Sequence, residues 1–173
     1  VITFASAADI TTSGSAAAAG AGATGVGGAG GAVTLNTTDT NITLNDTTIT
    51  TTGGAGTTTG AGGDVTFSDE VVLATGAVAI TTGTTAGNIL FSDTLNGAQA
   101  LTLTAGTGNV TFTGIVGATP LGLVTINSAG TALASAAFSS AGLTWTATTE
   151  IETDGLVTST AAVNFAAALI DLD

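Results

Sequence analysis

The chain contains no Lys, Arg, His, Cys, Met or Tyr, and only one Pro and one Trp. Each absence removes a class of chemistry. Without Cys there is no disulfide, thiolate nucleophile or zinc–sulfur site. Without His there is no imidazole base and no usual transition-metal ligand. Without Lys or Arg there is no Schiff base, phosphate clamp or arginine finger. Twelve Asp and Glu leave a formal charge of −12 with nothing to oppose it. Nucleic acid is not an expected partner, because that affinity comes largely from cations neutralising phosphates. The same charge argues against anionic lipid. Membrane insertion is not expected either. The apolar runs are short and broken by Thr, Gly and Asp, whereas a span needs roughly 20 predominantly apolar residues.

What remains is 39 Thr, 33 Ala and 26 Gly, more than half of 173 residues. Disorder does not fit, since disordered chains combine low hydrophobicity with high charge. Here charged residues are 7% and mean hydropathy is +0.60. The chain opens at Val1 rather than Met, so a processed protein or a segment of a longer chain is expected. The lack of Cys suits an extracellular or cell-surface location.

A triplet recurs: an aliphatic residue, Thr, then a large apolar residue. It appears as Ile2-Thr3-Phe4, Val33-Thr34-Leu35, Ile42-Thr43-Leu44, Val65-Thr66-Phe67, Leu101-Thr102-Leu103, Val110-Thr111-Phe112, Val124-Thr125-Ile126 and Leu143-Thr144-Trp145, with Ile89-Leu90-Phe91 as a variant. Period 2 and β-branched residues predict short strands, with the apolar pair inward and Thr outward. A longer unit repeats around Phe67, Phe91 and Phe112, at spacings of 24 and 21 residues. Units this small cannot bury their own apolar face and must stack. The prediction is an all-β fold: a right-handed parallel β-helix (β-solenoid) of roughly 21-residue coils, one single segment over 1–173. Gly/Ala-rich stretches at 13–30 and 53–62 are read as loops leaving one corner, the first as flexible chain. The Gly before each triplet suits a corner with positive φ. Asp64, Asn88 and Asn109 can bond their own turn backbone and stack as a ladder.

The start Asp9-Ile10-Thr11-Thr12-Ser13-Gly14, the Gly/Ala loop and the return at Gly31-Ala32-Val33-Thr34-Leu35-Asn36 form one stretch of a recognisable style. The run from Asn96 to Gly114, with Leu101-Thr102-Leu103-Thr104 and Gly108-Asn109-Val110-Thr111-Phe112, continues it, as does Pro120 to Gly130. Together they resemble the β-strand repeats of giant bacterial surface proteins of the filamentous haemagglutinin type. That resemblance implies a parallel β-helix, export, and a role in adhesion or extracellular matrix.

Carboxylates are the only strong chemical groups. Close sets are Asp69 with Glu70; Glu150, Glu152 and Asp154; and Asp171 with Asp173. Paired carboxylates serve polysaccharide hydrolases, but no Lys, Arg, His or Tyr is present to hold the sugar, so no enzyme and no cofactor is expected. Glu150, Glu152 and Asp154 form the candidate Ca²⁺ set, because Ca²⁺ takes six to eight oxygen ligands. Val1, Ile2 and Phe4 at one end and Leu169, Ile170 and Leu172 at the other are candidate polymer contacts, since a solenoid end exposes strand edges. Four N-glycosylation sequons begin at Asn36, Asn41, Asn45 and Asn109.

The expected function is a structural component of an extracellular bacterial filament, adhesin stalk or matrix, stacking on copies of itself or on tandem neighbours. With no Lys or Arg it offers no trypsin-type cleavage site. The alternative is a carbohydrate- or ice-binding β-helical module, with glycans as partners, or a surface-layer or pilus-like subunit. Thr102-x-Thr104, Thr111-x-Thr113 and Thr144-x-Thr146 resemble the Thr arrays of β-helical ice binders. Such a face needs alignment over several coils, and Asn or Ser stands in place of the second Thr at Asn36, Asn45, Ser68, Ser92 and Asn127, which weighs against ice.

Overall fold

The computed structural model describes residues 1–18, 25–38 and 40–173. Strands pair only in parallel, each with its equivalent one coil away, and the described residues contain no helix, so the fold is a parallel β-solenoid.

The first coil carries β1 (Ile2–Thr3), β2 (Asp9–Thr11) and β3 (Val33–Leu35). The second carries β4 (Ile42–Asn45), β5 (Thr48–Thr50) and β6 (Val65–Phe67), and the third β7 (Val71–Thr75), β8 (Val78–Thr81) and β9 (Ile89–Phe91). The fourth has β10 (Leu95–Asn96), β11 (Leu101–Thr104) and β12 (Val110–Phe112). The fifth has β13 (Val116–Ser128) and β14 (Thr131–Ala134), and the sixth β15 (Phe138–Thr146) and β16 (Glu150–Thr153). The last has β17 (Val157–Ser159), β18 (Val163–Ala166) and β19 (Leu169–Leu172).

Three faces result. The first stacks β1, β4, β7, β10, the starts of β13 and β15, and β17. The second stacks β2, β5, β8, β11, the ends of β13 and β15, and β18. The third stacks β3, β6, β9, β12, β14, β16 and β19. The long strands β13 and β15 turn a corner and serve two faces. On the third face Val65, Ile89, Val110, Ala132, Ile151 and Ile170 form one column, with steps of 24, 21, 22, 19 and 19 residues. These five steps follow a repeat of about 22 residues.

Period 2 places the triplets as predicted. Val65, Phe67, Ile89, Phe91, Val110 and Phe112 are buried, while Thr66, Leu90 and Thr111 between them face outward. In-register pairing then stacks like on like. The Phe67 and Phe91 rings lie 4.7 Å apart at 4°, and those of Phe91 and Phe112 5.3 Å apart at 11°. The column changes at Ala134. Phe138 and Trp145 fill the space from the other two faces, with centroids 5.3 and 6.0 Å from Phe112. Removing Phe112 therefore opens a cavity touched by three aromatic rings. Phe112→Ala is expected to lower stability by about 3–5 kcal/mol in urea unfolding.

The corner between the second and third faces absorbs loops of very different length. The connecting residues are 12–32, 51–64, 82–88, 105–109 and 129–130 in successive coils. One device closes the first three. The hydroxyl of Thr12 donates to Gly31 O, that of Thr51 to Gly63 O (2.6 Å), and that of Thr82 to Gly87 O (2.8 Å). Each acceptor lies two residues before the returning strand. Ala105 and Ala129 occupy the same place in the two shorter loops, fully buried.

The described flanks of the first Gly/Ala loop lie against neighbouring backbone; residues 19–24 of that segment lie outside the described residues. Gly28 N donates to Ser15 O (2.8 Å), Gly54 N to Gly28 O (2.7 Å) and Gly60 N to Gly54 O (3.0 Å). Backbones thus bond across both loops at a separation that side chains forbid. A Cβ on Gly54 would sit 1.9 Å from Ser15 O. Gly63 and Gly108, which precede triplets, have the same role: a Cβ there would lie 2.4 Å from Gly31 O and 2.1 Å from Gly87 O. Left-handed residues turn the first corner, as at Asp46 (φ 48°) and Gly76 (φ 66°) above it, and occur at the second corner too, at Gly83 (φ 98°) and Gly106 (φ 60°). Thr51→Val removes a buried hydroxyl bond at nearly constant volume. It is expected to cost about 1–3 kcal/mol in thermal or urea unfolding, whereas Thr50→Val on the outer face should stay within about 0.5 kcal/mol.

Candidate functional site

Polar chemistry gathers at the corner between the third and first faces. Thr37, Thr38, Thr40, Asn41, Asp69, Glu70 and Asp93 line an open groove of about 500 Å³. The repeat explains the acids: Ser68-Asp69 and Ser92-Asp93 each follow a triplet, and the stacked triplets bring the two Asp to one corner. Sequence reading found Asp69 and Glu70 but missed Asp93, although the repeated Phe-Ser-Asp was the signal. None of the three is bare. The Asp69 carboxylate accepts from Thr37 N, Glu70 Oε1 from Asn96 Nδ2 (3.1 Å) and Asp93 Oδ1 from Thr94 N (2.7 Å).

A second line of polar groups runs along the start of the third face. Asp64 Oδ1 accepts from Asn88 N (2.7 Å), Asn88 Oδ1 from Asn109 N (2.9 Å) and Asn109 Oδ1 from Thr131 N (3.0 Å). The predicted ladder exists, but each side chain bonds the next coil rather than its own turn. Stacked strands bring that neighbouring N–H within reach.

Glu150 and Glu152 share the outer side of β16, and Asp154 follows its end. Glu152 pairs in register with Asp171. Among the described residues, no group of three His, Cys, Asp or Glu is arranged to hold a metal ion. Carbonyls around the trio take ladder bonds: Ala134 O accepts from Asp154 N, Thr153 O from Asp173 N and Thr149 O from Leu169 N. Partial burial, then the carboxylates of Asp154, Glu150 and Asp171 and a hydrogen bond with Asp154, raise the Glu152 carboxyl above its ordinary value of 4.5.

At the ends, Val1 is exposed while Ile2 and Phe4 are partly buried. Leu169, Ile170 and Leu172 are exposed, together with Leu156 and Val163. Thr153, Gly155, Leu156, Val157, Val163, Phe165, Leu172 and Asp173 surround an apolar hollow of about 330 Å³. Sequence reading found the Leu169–Leu172 run and missed Leu156, Val157, Val163 and Phe165. Val163-Asn164-Phe165 carries Asn where the triplet has Thr, so the pattern passed unnoticed.

No protein-family model, curated protein or solved structure matches this chain.

The Glu152 environment gives a pH dependence with a definite sign. Between the ordinary Glu value and the raised one, the folded protein binds more protons than the unfolded chain. Stability therefore falls as pH rises through that window. Unfolding followed at neutral pH and again just above pH 4.5 is expected to show the Glu152 contribution as greater stability at the lower pH. Glu152→Gln should flatten that difference and raise stability at neutral pH.

Proposed function

We propose that this chain is a structural segment of an extracellular bacterial filament, adhesin stalk or matrix, and that copies stack end to end. The observation that carries this reading is the edge of the last coil. Among the described residues, β17, β18 and β19 each pair on one side only, in the three-face arrangement that every preceding coil repeats. Their inward residues Val157, Phe165 and Leu172 leave the core open at that end. At the opposite end, β1, β2 and β3 present Ile2, Ile10 and Leu35 in the same columns. A copy placed on β17–β19 extends each ladder by one parallel strand and covers apolar surface, worth about 25 cal/mol per Å² removed from water. The rest of the surface fits a passive rod. It is dominated by Thr, Ala, Gly and Ser and offers trypsin-like proteases no basic residue.

Concentrated protein imaged by cryo-electron microscopy, with and without calcium, tests the reading. Filaments of constant width with a layer line near ~4.8 Å are expected. Leu172→Asp, which puts a charge into the open end, is expected to disperse them. Discrete rods at every concentration, with or without calcium, would overturn the stacking.

A further inference from the structure

Threonine is not spread evenly over the three faces. On the second face, in-register pairing puts Asp9, Thr48, Ala79, Thr102, Thr125, Thr144 and Asn164 in one outward column, with Asp9 and Asn164 bounding the Thr-rich stretch. The parallel outward column holds Thr50, Thr81 and Thr104, then a bulge at Asn127–Ser128, then Thr146 two residues beyond Thr144. Between the columns, Ile49, Ile80, Leu103, Ile126 and Trp145 point into the core and fix the level of the face. The other faces do not repeat this. The equivalent column of the third face reads Thr34, Thr66, Leu90, Thr111, Leu133, Glu152 and Asp171. The first face reads Thr3, Thr43, Val72 and Asn96. Of the positions that weighed against an aligned array, Asn36, Ser68 and Ser92 follow strands of the third face and Asn45 ends a strand of the first. Asn127 alone falls on the second face, where its Nδ2 donates to Thr104 Oγ1 (3.1 Å).

Two further observations separate this face from a merely Thr-rich surface. The first is charge. The chain carries −12, yet from β5 to the end of β15 no carboxylate stands in either outward column. The acids of those layers sit at corners (Asp46, Asp64, Asp69, Glu70, Asp93). The second is the state of the hydroxyls. Those of Thr48, Thr50, Thr102, Thr125, Thr144 and Thr146 bond no other protein group among the described residues.

The result, from Thr48 to Thr146, is an uncharged grid of hydroxyl and methyl groups, interrupted at Ala79 and at the Asn127–Ser128 bulge. Its repeats are about 4.8 Å between layers and about 6.7 Å along each strand. β-Branching restricts χ1, so the grid is ordered before any ligand arrives. Water over such a surface is held at the hydroxyls and forced to cage the methyls. Both repeats lie close to the oxygen spacings on a prism face of hexagonal ice.

We propose that the outward side of the second face, from Thr48 to Thr146, is an ice-binding surface. It goes beyond the structural role and does not depend on end-to-end stacking, so each can fail without the other.

The test is incorporation of the full chain into slowly growing ice, read as enrichment in the ice fraction over the remaining liquid. The native protein is expected in the ice. Thr125→Glu, which puts a hydrated charge at the middle of the grid, should lose the enrichment. Thr66→Glu, on the third face, should keep it. Circular dichroism checks that both variants keep the fold, and Thr125→Leu, which removes the hydroxyl without a charge, should also weaken incorporation. Exclusion of the native protein from ice would overturn the proposal, as would equal loss in Thr66→Glu. Retention on crystalline polysaccharide together with exclusion from ice would overturn it in favour of a glycan surface.

Discussion

The structure depends on in-register stacking. In a parallel solenoid the nearest neighbours of an inward side chain are its counterparts one coil before and one coil after. Each column must therefore suit two neighbours at every layer. Phe67, Phe91 and Phe112 meet that condition by repeating one ring in one orientation. Where the column changes to Ala134, the missing volume has to come from elsewhere, and Phe138 and Trp145 supply it from the other faces. The indole N–H of Trp145 is left buried without a hydrogen-bond partner, a cost of about 1–3 kcal/mol. Burial of so large a side chain contributes about as much, and its contacts with Phe112, Phe138 and Phe165 add about 0.5–1.5 kcal/mol each. Packing wins because burial and ring contacts together outweigh the one unmade hydrogen bond.

The same constraint governs the corners. Strands stay in register only if a loop of any length returns the chain to the same place. Thr12, Thr51 and Thr82 make that return independent of length, since each hydroxyl holds the carbonyl two residues before the next strand. Glycine then lets the excess chain fold flat. Its conformational freedom is normally a cost in an ordered segment. Here the missing Cβ permits direct backbone bonding between Ser15, Gly28, Gly54 and Gly60, and those bonds offset the lost entropy.

The triplets were legible because period 2, β-branching and burial all point the same way. Val65-Thr66-Phe67 is a strand with Thr outward, as its pattern requires. The parallel solenoid followed from the 24- and 21-residue spacing. Less was legible where a residue's role lies in the next coil. Asp64 and Asn88 bond N–H groups 21 to 24 residues away, which no local turn signal announces. The bend in β13 was hidden too. Pro120 sits at an exposed point where the register with β15 slips, so no ladder N–H is needed from it. The sorting of threonines by face could not be read from one triplet at a time. It needed to be known that Thr102-x-Thr104 and Thr144-x-Thr146 share a face and that Thr111-x-Thr113 does not.

A chain with twelve acids and no basic side chain must find its counter-charges elsewhere. Adjacent layers are about 4.8 Å apart, well inside the ~8 Å over which salt screens charge. Stacked carboxylates therefore repel with little relief unless a donor stands between them. Backbone N–H groups and Asn amides take the place that Lys and Arg hold in other proteins: Asn88 N for Asp64, Thr37 N for Asp69, Asn96 Nδ2 for Glu70 and Thr94 N for Asp93. Such donors are available at corners, where a turn frees an N–H from the ladder, and scarce on flat faces, where every N–H is paired. That explains why most of these acids stand at corners and why the second face carries no carboxylate from β5 to β15, Asp9 of β2 being the acid at its border. Glu152 shows the cost of departing from the rule. It lies on a flat face over Asp171, and its carboxyl is pushed up by burial and by its acidic neighbours.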